Sequence, residues 1–335
     1  DGEAGGCFSE YREFAPMFFE MNEAAELLRA RRRARGAVDF DFAECKILLD
    51  EKGRPKAIKP RQRNAATRLI EDFMLAANET VAEEYFWQQV PFLYRTHEKP
   101  DEEKSRRFAS LIGSFGYSLH FINGELHPKE LQKLLDKAAG KPEEPLISRM
   151  ALRSMKQAKY TVSCDGHFGL AASYYTHFTS PIRRYPDLQI HRIIKENLHG
   201  ELGKKRIAHY EKILPDTAAW SSARERLAEE AERETDKMKK VEFMERHIGE
   251  EFDGVISGVT GYGFYVELPN TVEGMVRVSE LDGDYYVFDE ERYCLVGEMT
   301  GRTYKLGQKI RIQVVSADRY LKTIDFLPVR EFRRK

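Results

Sequence analysis

The stretch of sequence that decides the fold runs from Gly166 to Leu198 and reads GHFGLAASYYTHFTSPIRRYPDLQIHRIIKENL. Its first half combines aromatic and hydroxyl side chains with an arginine pair, Arg183 and Arg184, and its second half has isoleucines at helical spacing. That spacing predicts an amphipathic helix. Two starts are compatible with it, because proline is favourable at the first position of a helix and unfavourable in its interior. The helix begins either at Pro181 or at Pro186.

In a helix that begins at Pro181, Arg183, Asp187 and His191 are each four residues apart and share a face. An arginine held by a neighbouring carboxylate at a helix N-terminus would bind a phosphodiester through paired hydrogen bonds. The alternative is an ordinary surface ion pair, which contributes little stability. Spacing alone favours neither interpretation.

The spelling of several segments resembles the signature of the RNB-type exoribonucleases, the RNase II/RNase R family. The resemblance follows the order of the chain over most of its length, and the segments that carry it are Arg35–Phe42, Leu152–Ala158, Gly166–Leu170, Tyr175–Leu188 and the pair His191-Arg192. Within the family, the spelling SPIRRYP and the long insertion Tyr285–Lys305 are more similar to the RNase R branch than to RNase II.

The resemblance implies two domains, an α-rich α+β RNB catalytic domain and an S1-type RNA-binding domain. We expect the later part of the RNB domain at residues 1–246, the S1-type domain at 247–328 and a short basic tail at 329–335. The residues themselves support the second domain, because five short strand patterns within about 80 residues are typical of an OB-type barrel. The fold class predicted is therefore a partial RNB domain followed by an all-β, five-stranded OB-fold barrel.

In the helical part, apolar periodicity predicts helices within 1–35, 62–86, 98–115, 128–135, 146–158, 181–198 and 204–246. A strand hairpin around Gly53 is predicted between the first two helices. The arginine-rich stretch Arg29–Arg35 would follow a phosphate backbone or form a solvated helix end, and the latter is the commoner case.

The resemblance implies an enzyme that hydrolyses RNA from its 3′ end and releases nucleoside 5′-monophosphates. Arg183 is the expected catalytic arginine, since a guanidinium aimed at the phosphate stabilises the charge that grows in the transition state. Glu232 matches a family motif in which a glutamate reaches the terminal nucleotide. The alternative for Glu232 is a solvated position, because that helix is rich in glutamate.

Further RNA contacts are expected in both domains. In the first domain the candidates line the expected channel, and they are Glu71, Asn78, His177, Phe178, Arg184 and Tyr185. In the second domain the candidates are Tyr262, Phe264 and Arg277 on the nucleic-acid face of the barrel, with Tyr286 in the adjoining loop as a secondary candidate. A strand buries alternate side chains, so half of these aromatic residues would instead belong to the core.

The family holds two Mg²⁺ ions with a cluster of aspartates, and nothing in this sequence matches that cluster. We expect those aspartates upstream of Asp1, so that the 335 residues alone would not cleave RNA. Asp39 and Asp41 alternate on one strand pattern, and they are interpreted as its polar face rather than as a metal pair.

Composition sets limits on partners and compartment. The net charge of −1 gives no general positive field, so RNA binding must come from local clusters. The four cysteines include no C-x-x-C pair and favour reduced thiols in a cytoplasmic protein. No apolar run approaches the length of about 18 residues that crosses a membrane. The expected partners are single-stranded RNA 3′ ends and structured RNA, with the ribosome or RNA-decay factors as further partners of a monomer.

A second function class is compatible with the same sequence. A non-catalytic RNA-binding regulator would retain the channel and the barrel without the metal site. A scaffold without any RNA role would show no salt-dependent RNA binding.

Overall fold

The computed structural model describes residues 11–39, 45–61, 63–141, 143–289 and 292–329. Within these ranges a helical part precedes a strand-rich part. The helices are α1 (Ala15–Arg35), α2 (Ala65–Trp87), α3 (Glu102–Gly113), α4 (Pro128–Ala138), α5 (Glu144–Ser154), α6 (Tyr185–Leu198) and α7 (Lys204–Met244). None of the helices in the described ranges has both the length and the apolar character that a bilayer crossing requires.

The strands form several small sheets in the helical part and two sheets after it. In the helical part they are β1 (Cys45–Leu49), β2 (Pro55–Pro60), β3 (Tyr94–Thr96), β4 (Phe121–Ile122), β5 (Glu125–Leu126) and β6 (Lys159–Thr161). After it they are β7 (Glu251–Thr260), β8 (Gly263–Glu267), β9 (Glu273–Arg277), β10 (Tyr286–Asp289), β11 (Cys294–Gly297), β12 (Thr303–Lys305), β13 (Lys309–Asp318) and β14 (Thr323–Pro328). The predicted hairpin around Gly53 is the antiparallel pair β1–β2.

The predicted helix at the start of the chain ends at Gly36, as its sequence indicates. Gly36 adopts a left-handed conformation with φ of 109°. A side chain at this position would be strained, and its Cβ would lie 3.0 Å from the backbone of Lys129 at the start of α4. Glycine therefore allows α1 to end in close contact with α4.

The arginines near the end of α1 mostly hold the helical part together. Asp72 of α2 is buried and bonds both Arg29, at 2.6 Å, and Arg32. Arg35 forms a two-bond pair with Glu79, also on α2, at 2.8 and 2.9 Å. These arginines are therefore partners of α2, rather than the end of a solvated helix or a track for phosphates.

The helix of the decisive stretch begins at Tyr185, with Pro186 in its first turn, and the start at Pro181 is not used. Residues 180–184 form a turn in which the Arg184 amide donates to the Ser180 carbonyl at 3.0 Å. Ile190 and Ile193 of α6 are fully buried, which confirms the predicted apolar stripe.

Three hydrophobic cores support this arrangement. One lies among α3, α4 and α5 and includes Ile112, Leu131 and Ile147. A second lies beneath α6 and α7, and a third fills the strand-rich part. The second core fixes the position of the decisive stretch, because α6 packs over it.

The strand-rich part is a closed five-stranded barrel in the order β13-β14-β9-β8-β7. This confirms the predicted OB-type barrel. The predicted insertion Tyr285–Lys305 contains a separate antiparallel sheet, β10-β11-β12, which the sequence analysis did not predict.

Two aromatic residues predicted to contact RNA are buried in this part instead. Phe264 has 0% of its surface exposed, and its ring stacks on Tyr304 at a centroid distance of 4.7 Å. Tyr286 is also buried, with its ring 5.4 Å from that of Tyr304. The predictions for Phe264 and Tyr286 are wrong, because Phe264 belongs to the core of the barrel and Tyr286, on strand β10 of the added sheet, packs into the same core beside Tyr304.

Polar contacts attach the barrel to the helical part. Arg149 of α5 donates to the Ser257 carbonyl at 3.0 Å and to the Glu267 carboxylate at 2.7 Å. Lys240 of α7 donates to the Thr271 carbonyl at 2.8 Å. Two helices, α5 and α7, thus both contact the barrel.

Candidate nucleic-acid interface

Asp187 organises the turn that carries the two arginines, residues 180–184, which we call the Arg183 turn. Its side chain is fully buried, and its Oδ1 accepts the Ser180 amide at 2.8 Å. The same oxygen accepts Nε and Nη2 of Arg184 at 3.1 and 2.8 Å. Its other oxygen, Oδ2, has no hydrogen-bond partner among the described residues. The carboxylate therefore fixes the turn and neutralises Arg184.

Arg183 differs from its neighbour. The predicted pairing of Arg183 with Asp187 is wrong, because it required a helix from Pro181, and the later helix start gives Asp187 to Arg184. Arg183 is exposed, and no ion pair or hydrogen bond of its side chain is found in the described ranges. Its charge is still close enough to His177 to lower the pKa of that imidazole. Arg183 thus carries an uncompensated guanidinium at the edge of the site.

Beneath the turn lie four polar side chains in contact, Arg95, Tyr160, His177 and Glu225, which we call the floor cluster. The Tyr160 hydroxyl lies 2.8 Å from Nδ1 of His177. The guanidinium of Arg95 lies over the Tyr160 ring at 4.6 Å and donates to Glu225 of α7 at 2.5 Å. The floor cluster therefore joins β3, β6 and the turn segment to the long helix.

Burial dominates the electrostatics of this floor. Desolvation, followed by the positive charges of Arg184 and Arg95, lowers the pKa of His177 to about 2. Burial also raises the pKa of Tyr160. His177 is accordingly neutral at physiological pH, and Tyr160 keeps its proton.

Two further histidines, His97 and His167, pack near the floor cluster. The rings of His97 and His167 lie 4.9 Å apart, and His167 lies 5.0 Å from Tyr175. Burial lowers the pKa of His167 to about 3, and it lowers the pKa of His97 as well. Nε2 of His97 is buried without a hydrogen-bond partner among the described residues. These imidazoles act as uncharged packing groups.

Helix α2 forms one wall beside the turn. Glu71, Asn78, Tyr175 and Arg184 take part in lining a groove of about 540 Å³ along this helix. Asn78 is buried and uses both ends of its amide, donating to the Tyr175 hydroxyl at 3.3 Å and accepting the Phe178 amide at 2.9 Å. Asn78 therefore positions the turn segment, while Glu71 is more exposed and pairs with Arg63 at 2.8 Å.

The two remaining residues predicted to contact RNA in the first domain, Phe178 and Tyr185, differ in their packing. Phe178 stacks on His191 with centroids 4.3 Å apart, and Nε2 of His191 lies 2.9 Å from the Phe178 carbonyl. This pairing holds Phe178 against α6. Tyr185 is half exposed at the start of the helix.

Glu232 lies away from the floor cluster. It is exposed on α7 and lines a charged groove between this helix and the barrel, together with Lys240, Glu273 and Lys322. Glu225, two helical turns earlier, is the α7 carboxylate that belongs to the floor cluster through its bond with Arg95. Glu232, one of the two predicted catalytic residues, thus lines a groove to which the other, Arg183, does not contribute.

On the barrel, two of the four predicted residues remain at the surface. Tyr262 is 63% exposed, next to the buried Phe264. Arg277 is exposed and pairs with Asp325 at 3.3 Å. Tyr262 therefore leaves an aromatic ring exposed on the barrel, whereas the charge of Arg277 is already paired.

The described residues do not form a metal site. A search of those ranges finds no group of three or more histidine, cysteine or acidic side chains placed to hold an ion. Asp41 lies outside the described residues, and Asp39 pairs with Arg63 at 3.2 Å. The residues present therefore do not fit the two Mg²⁺ ions that the sequence resemblance implies.

Sequence reasoning missed the members of the floor cluster other than His177. The short strand around Arg95 was predicted, but no pattern distinguishes that arginine from a surface residue. Glu225 belongs to a glutamate-rich run that was interpreted as solvated. Their role depends on tertiary contacts among β3, β6 and α7. Such contacts between distant segments leave no local pattern in a single sequence.

A helical domain that presents arginines above a buried floor, followed by an OB-type barrel, defines a class of two-domain nucleic-acid-binding proteins. The RNB domain family model matches residues 9–200, and the S1 RNA binding domain model matches residues 245–327. The RNB match covers more than half of the chain. The chain therefore belongs to the RNB domain family.

Within that family the chain is similar to RNase R, which confirms the predicted branch. It is 48% identical to Ribonuclease R 1 of Lactococcus lactis, over 96% of this chain and 39% of that protein. It is 44% identical to Ribonuclease R of Thermotoga maritima, over 98% of this chain and 47% of that protein. The chain thus spans less than half the length of these relatives.

Solved structures give the same result for the fold. RNase R of Mycoplasma genitalium, in complex with ribose-methylated single-stranded RNA, matches with a TM-score of 0.86 and 26% identity, over 92% of this chain and 49% of that one. Yeast Ssd1, described as a pseudonuclease, matches with a TM-score of 0.58 and 25% identity, over 70% of this chain and 29% of that one. The fold therefore occurs in a nuclease and in a pseudonuclease.

Proposed function

We propose that the protein containing this chain is a hydrolytic exoribonuclease that degrades single-stranded and structured RNA from the 3′ end to nucleoside 5′-monophosphates. Membership of the RNB family and similarity to RNase R support the proposal. The observation that carries it is the Arg183 turn, in which a buried carboxylate fixes the backbone and leaves one guanidinium without a partner among the described residues.

Arg183 is assigned to the phosphate of the bond that is cleaved. Arg184 is already bonded to Asp187, so a phosphate there would have to compete with a buried carboxylate. Arg183 meets no such competition, and a guanidinium matches the geometry of phosphate oxygens. A donor that is held in place before reaction stabilises the charge that develops in the transition state. Arg184 instead shapes the wall of the groove.

The floor cluster supports this turn without taking part in proton transfer. An efficient general acid or base has a pKa near the working pH. With its pKa lowered to about 2, His177 is too weak a base for that role and holds Tyr160 and the turn segment in place. Proton transfer by His177 is therefore not part of the proposed mechanism.

Glu232 is assigned to the RNA strand rather than to the Arg183 turn. It lines the groove between α7 and the barrel, where it would contact a strand that passes between the two domains. Divalent ions supply charge stabilisation and an activated water in many phosphodiester hydrolases. The described residues do not fit such ions, so the Mg²⁺ ligands are assigned to residues outside them.

Replacing Arg183 in the complete protein tests the proposal. Arg183→Ala should lower kcat by about a hundred- to a thousandfold, because one preorganised donor to the developing charge is lost. RNA affinity, measured by fluorescence anisotropy, should change much less. The matched control is Arg106→Ala, which removes an exposed arginine of α3 that pairs with Glu102. Release of mononucleotides by Arg183→Ala at the rate of the parent protein would exclude the assignment.

A non-catalytic RNA-binding regulator is the second candidate, and the likeness to the pseudonuclease Ssd1 favours it. The exoribonuclease and the regulator differ in whether mononucleotides are released from RNA. Magnesium-dependent release of mononucleotides from uniformly labelled RNA by the complete protein supports the enzyme, whereas tight binding without release supports the regulator.

A further inference from the structure

A shallow groove between α6 and α7 has features that the proposed site does not use. Its volume is about 410 Å³, and its lining residues are Tyr185, Lys212, Ile213, Asp216, Thr217, Trp220 and Ser221. Trp220 is 62% exposed and Tyr185 is 51% exposed. Large aromatic side chains that remain exposed together often mark a binding surface.

An arginine guanidinium lies over each of the two aromatic rings, those of Trp220 and Tyr185. The guanidinium of Arg224 lies 5.0 Å from the centre of the Trp220 ring, and that of Arg192 lies 5.9 Å from the centre of the Tyr185 ring. A guanidinium covers only one face of a ring and is attracted to its π electrons. The opposite face is then available for another planar group.

The charges around the groove are mostly positive and uncompensated. Arg192, Lys212 and Arg224 are exposed, and within the described part of the chain none of them forms an ion pair. The nearby Arg206, by contrast, is paired with Glu196 at 2.6 Å. Among the lining residues Lys212 is the cation and Asp216 the carboxylate, and the guanidinium groups of Arg192 and Arg224 add two positive charges beside the aromatic rings.

We propose that this groove binds a segment of single-stranded RNA, with bases stacked on Trp220 and Tyr185 and phosphates bound by Arg192, Lys212 and Arg224. We call this surface the Trp220 shelf. Aromatic rings accept any base, and interspersed cations follow the backbone, which is the general chemistry of single-strand binding. Three cations on a shallow surface fit a polyanionic strand better than a single small anion.

The shelf is continuous with the Arg183 turn, because Tyr185 directly follows Arg184. A strand that contacts the turn can therefore extend onto the shelf. This inference rests on the proposed RNA-binding function, but it assigns a separate contact surface with its own test.

The protein contains two tryptophans, Trp87 and Trp220, which allows each to be observed alone. In the Trp87→Phe chain, Trp220 is the sole emitter. Titration with an oligoadenylate should quench its fluorescence and protect it from acrylamide, because a stacked base covers the ring. The matched control is the Trp220→Phe chain, in which Trp87 reports from α2 and its emission should not change.

Affinity gives the second measurement. Trp220→Ala should weaken oligoadenylate binding by about five- to a hundredfold, the range of one lost base stack, whereas Trp220→Phe should retain most of the affinity. Replacing Lys212 and Arg224 by glutamine should reduce the slope of log Kd against log salt by about 0.7 for each lost contact. Circular dichroism and thermal unfolding verify that each variant is folded.

The outcomes separate the shelf from the proposed function. The shelf is refuted if Trp220 emission and the affinity of Trp220→Ala are unchanged while Tyr262→Ala on the barrel weakens binding. It is also refuted if 5′-AMP quenches Trp220 and the oligonucleotide does not. Absence of any RNA binding by the parent chain would contradict the proposed function itself.

Discussion

At the scale of single residues, Asp187 determines which of two adjacent arginines is available to a ligand. One oxygen of this buried carboxylate accepts a loop amide and two guanidinium nitrogens of Arg184. Charge-assisted bonds of this kind in a desolvated site are strong and directional. Arg184 is consequently part of the framework, and Arg183 is the residue whose charge a phosphate would meet.

Neutral buried histidines predict a pH dependence of stability. The pKa of His177 is about 2 and that of His167 about 3 in the folded chain, against about 6.5 when unfolded. Below about pH 6.5 the unfolded chain takes up protons that the folded chain does not, so stability falls on acidification. Each histidine should remove about 2 kcal/mol between about pH 7 and pH 5.

Urea unfolding of the chain across that pH range provides the measurement. His177→Gln should show a smaller loss of stability than the parent, because it removes one of the groups that titrate only in the unfolded state. The exposed His199 offers a matched control, and His199→Gln should keep the parent's pH dependence. Equal pH dependence in His177→Gln and the parent would contradict the assignment.

Part of the site was predictable from residues, and part depended on geometry that a sequence does not contain. The arginine pair was evident from its spelling, but its carboxylate partner depended on whether the helix begins at Pro181 or Pro186. Phe264 was placed on the wrong face because strand alternation defines two faces without saying which one is enclosed. The added β10-β11-β12 sheet, which contributes Tyr286 to the core, had no clear signal in the sequence.

At the scale of elements, α7 connects the floor cluster to the barrel. It has 41 residues, which corresponds to a length of about 60 Å. Glu225 belongs to the floor cluster, where it bonds Arg95, and Lys240, about 22 Å further along the helix, contacts the barrel. The separation of the two domains along α7 is thus set by a rigid element. Its length was predictable from helical periodicity, whereas its two contact points were not.

Arg149 should determine how firmly the barrel is docked. Arg149→Ala removes bonds from α5 to Ser257 and Glu267 while leaving the contact from α7. We expect a loss of about 1 kcal/mol of docking, since the side chains are partly exposed and hydrogen-bonded. Hydrogen exchange of the amides in residues 245–260 should become faster.

A matched variant distinguishes docking from barrel stability. Arg311→Ala removes a pair with Glu251 that lies within the barrel, so it should not accelerate exchange on α5. If Arg149→Ala leaves exchange at both surfaces unchanged, α7 alone fixes the barrel.

At the scale of the whole molecule, the proposed binding and the proposed cleavage would draw on different sets of residues. The barrel surface and the proposed Trp220 shelf would provide cations and aromatic rings for RNA, and Arg183 the charge used in cleavage, within a chain whose net charge is only −1. Local clusters rather than the overall field must therefore attract the strand. Cleavage through paired metal ions additionally requires clustered oxygen ligands, which the described residues do not provide.

The 335-residue chain by itself should therefore bind RNA without cleaving it. We expect its Kd for 5′-labelled oligoadenylate to change by less than about twofold between excess Mg²⁺ and excess EDTA, because the described residues hold no metal site that would contribute to the contacts. Binding should weaken steeply with salt, since phosphate contacts release counterions. Thin-layer chromatography of uniformly labelled oligoadenylate should show no mononucleotides under either condition. Arg183→Ala in this chain should bind about as tightly as the parent, because its assigned role is in the transition state. EDTA-sensitive release of mononucleotides by the 335 residues would mean that they hold a metal site after all, and the division between binding and cleavage would have to be abandoned.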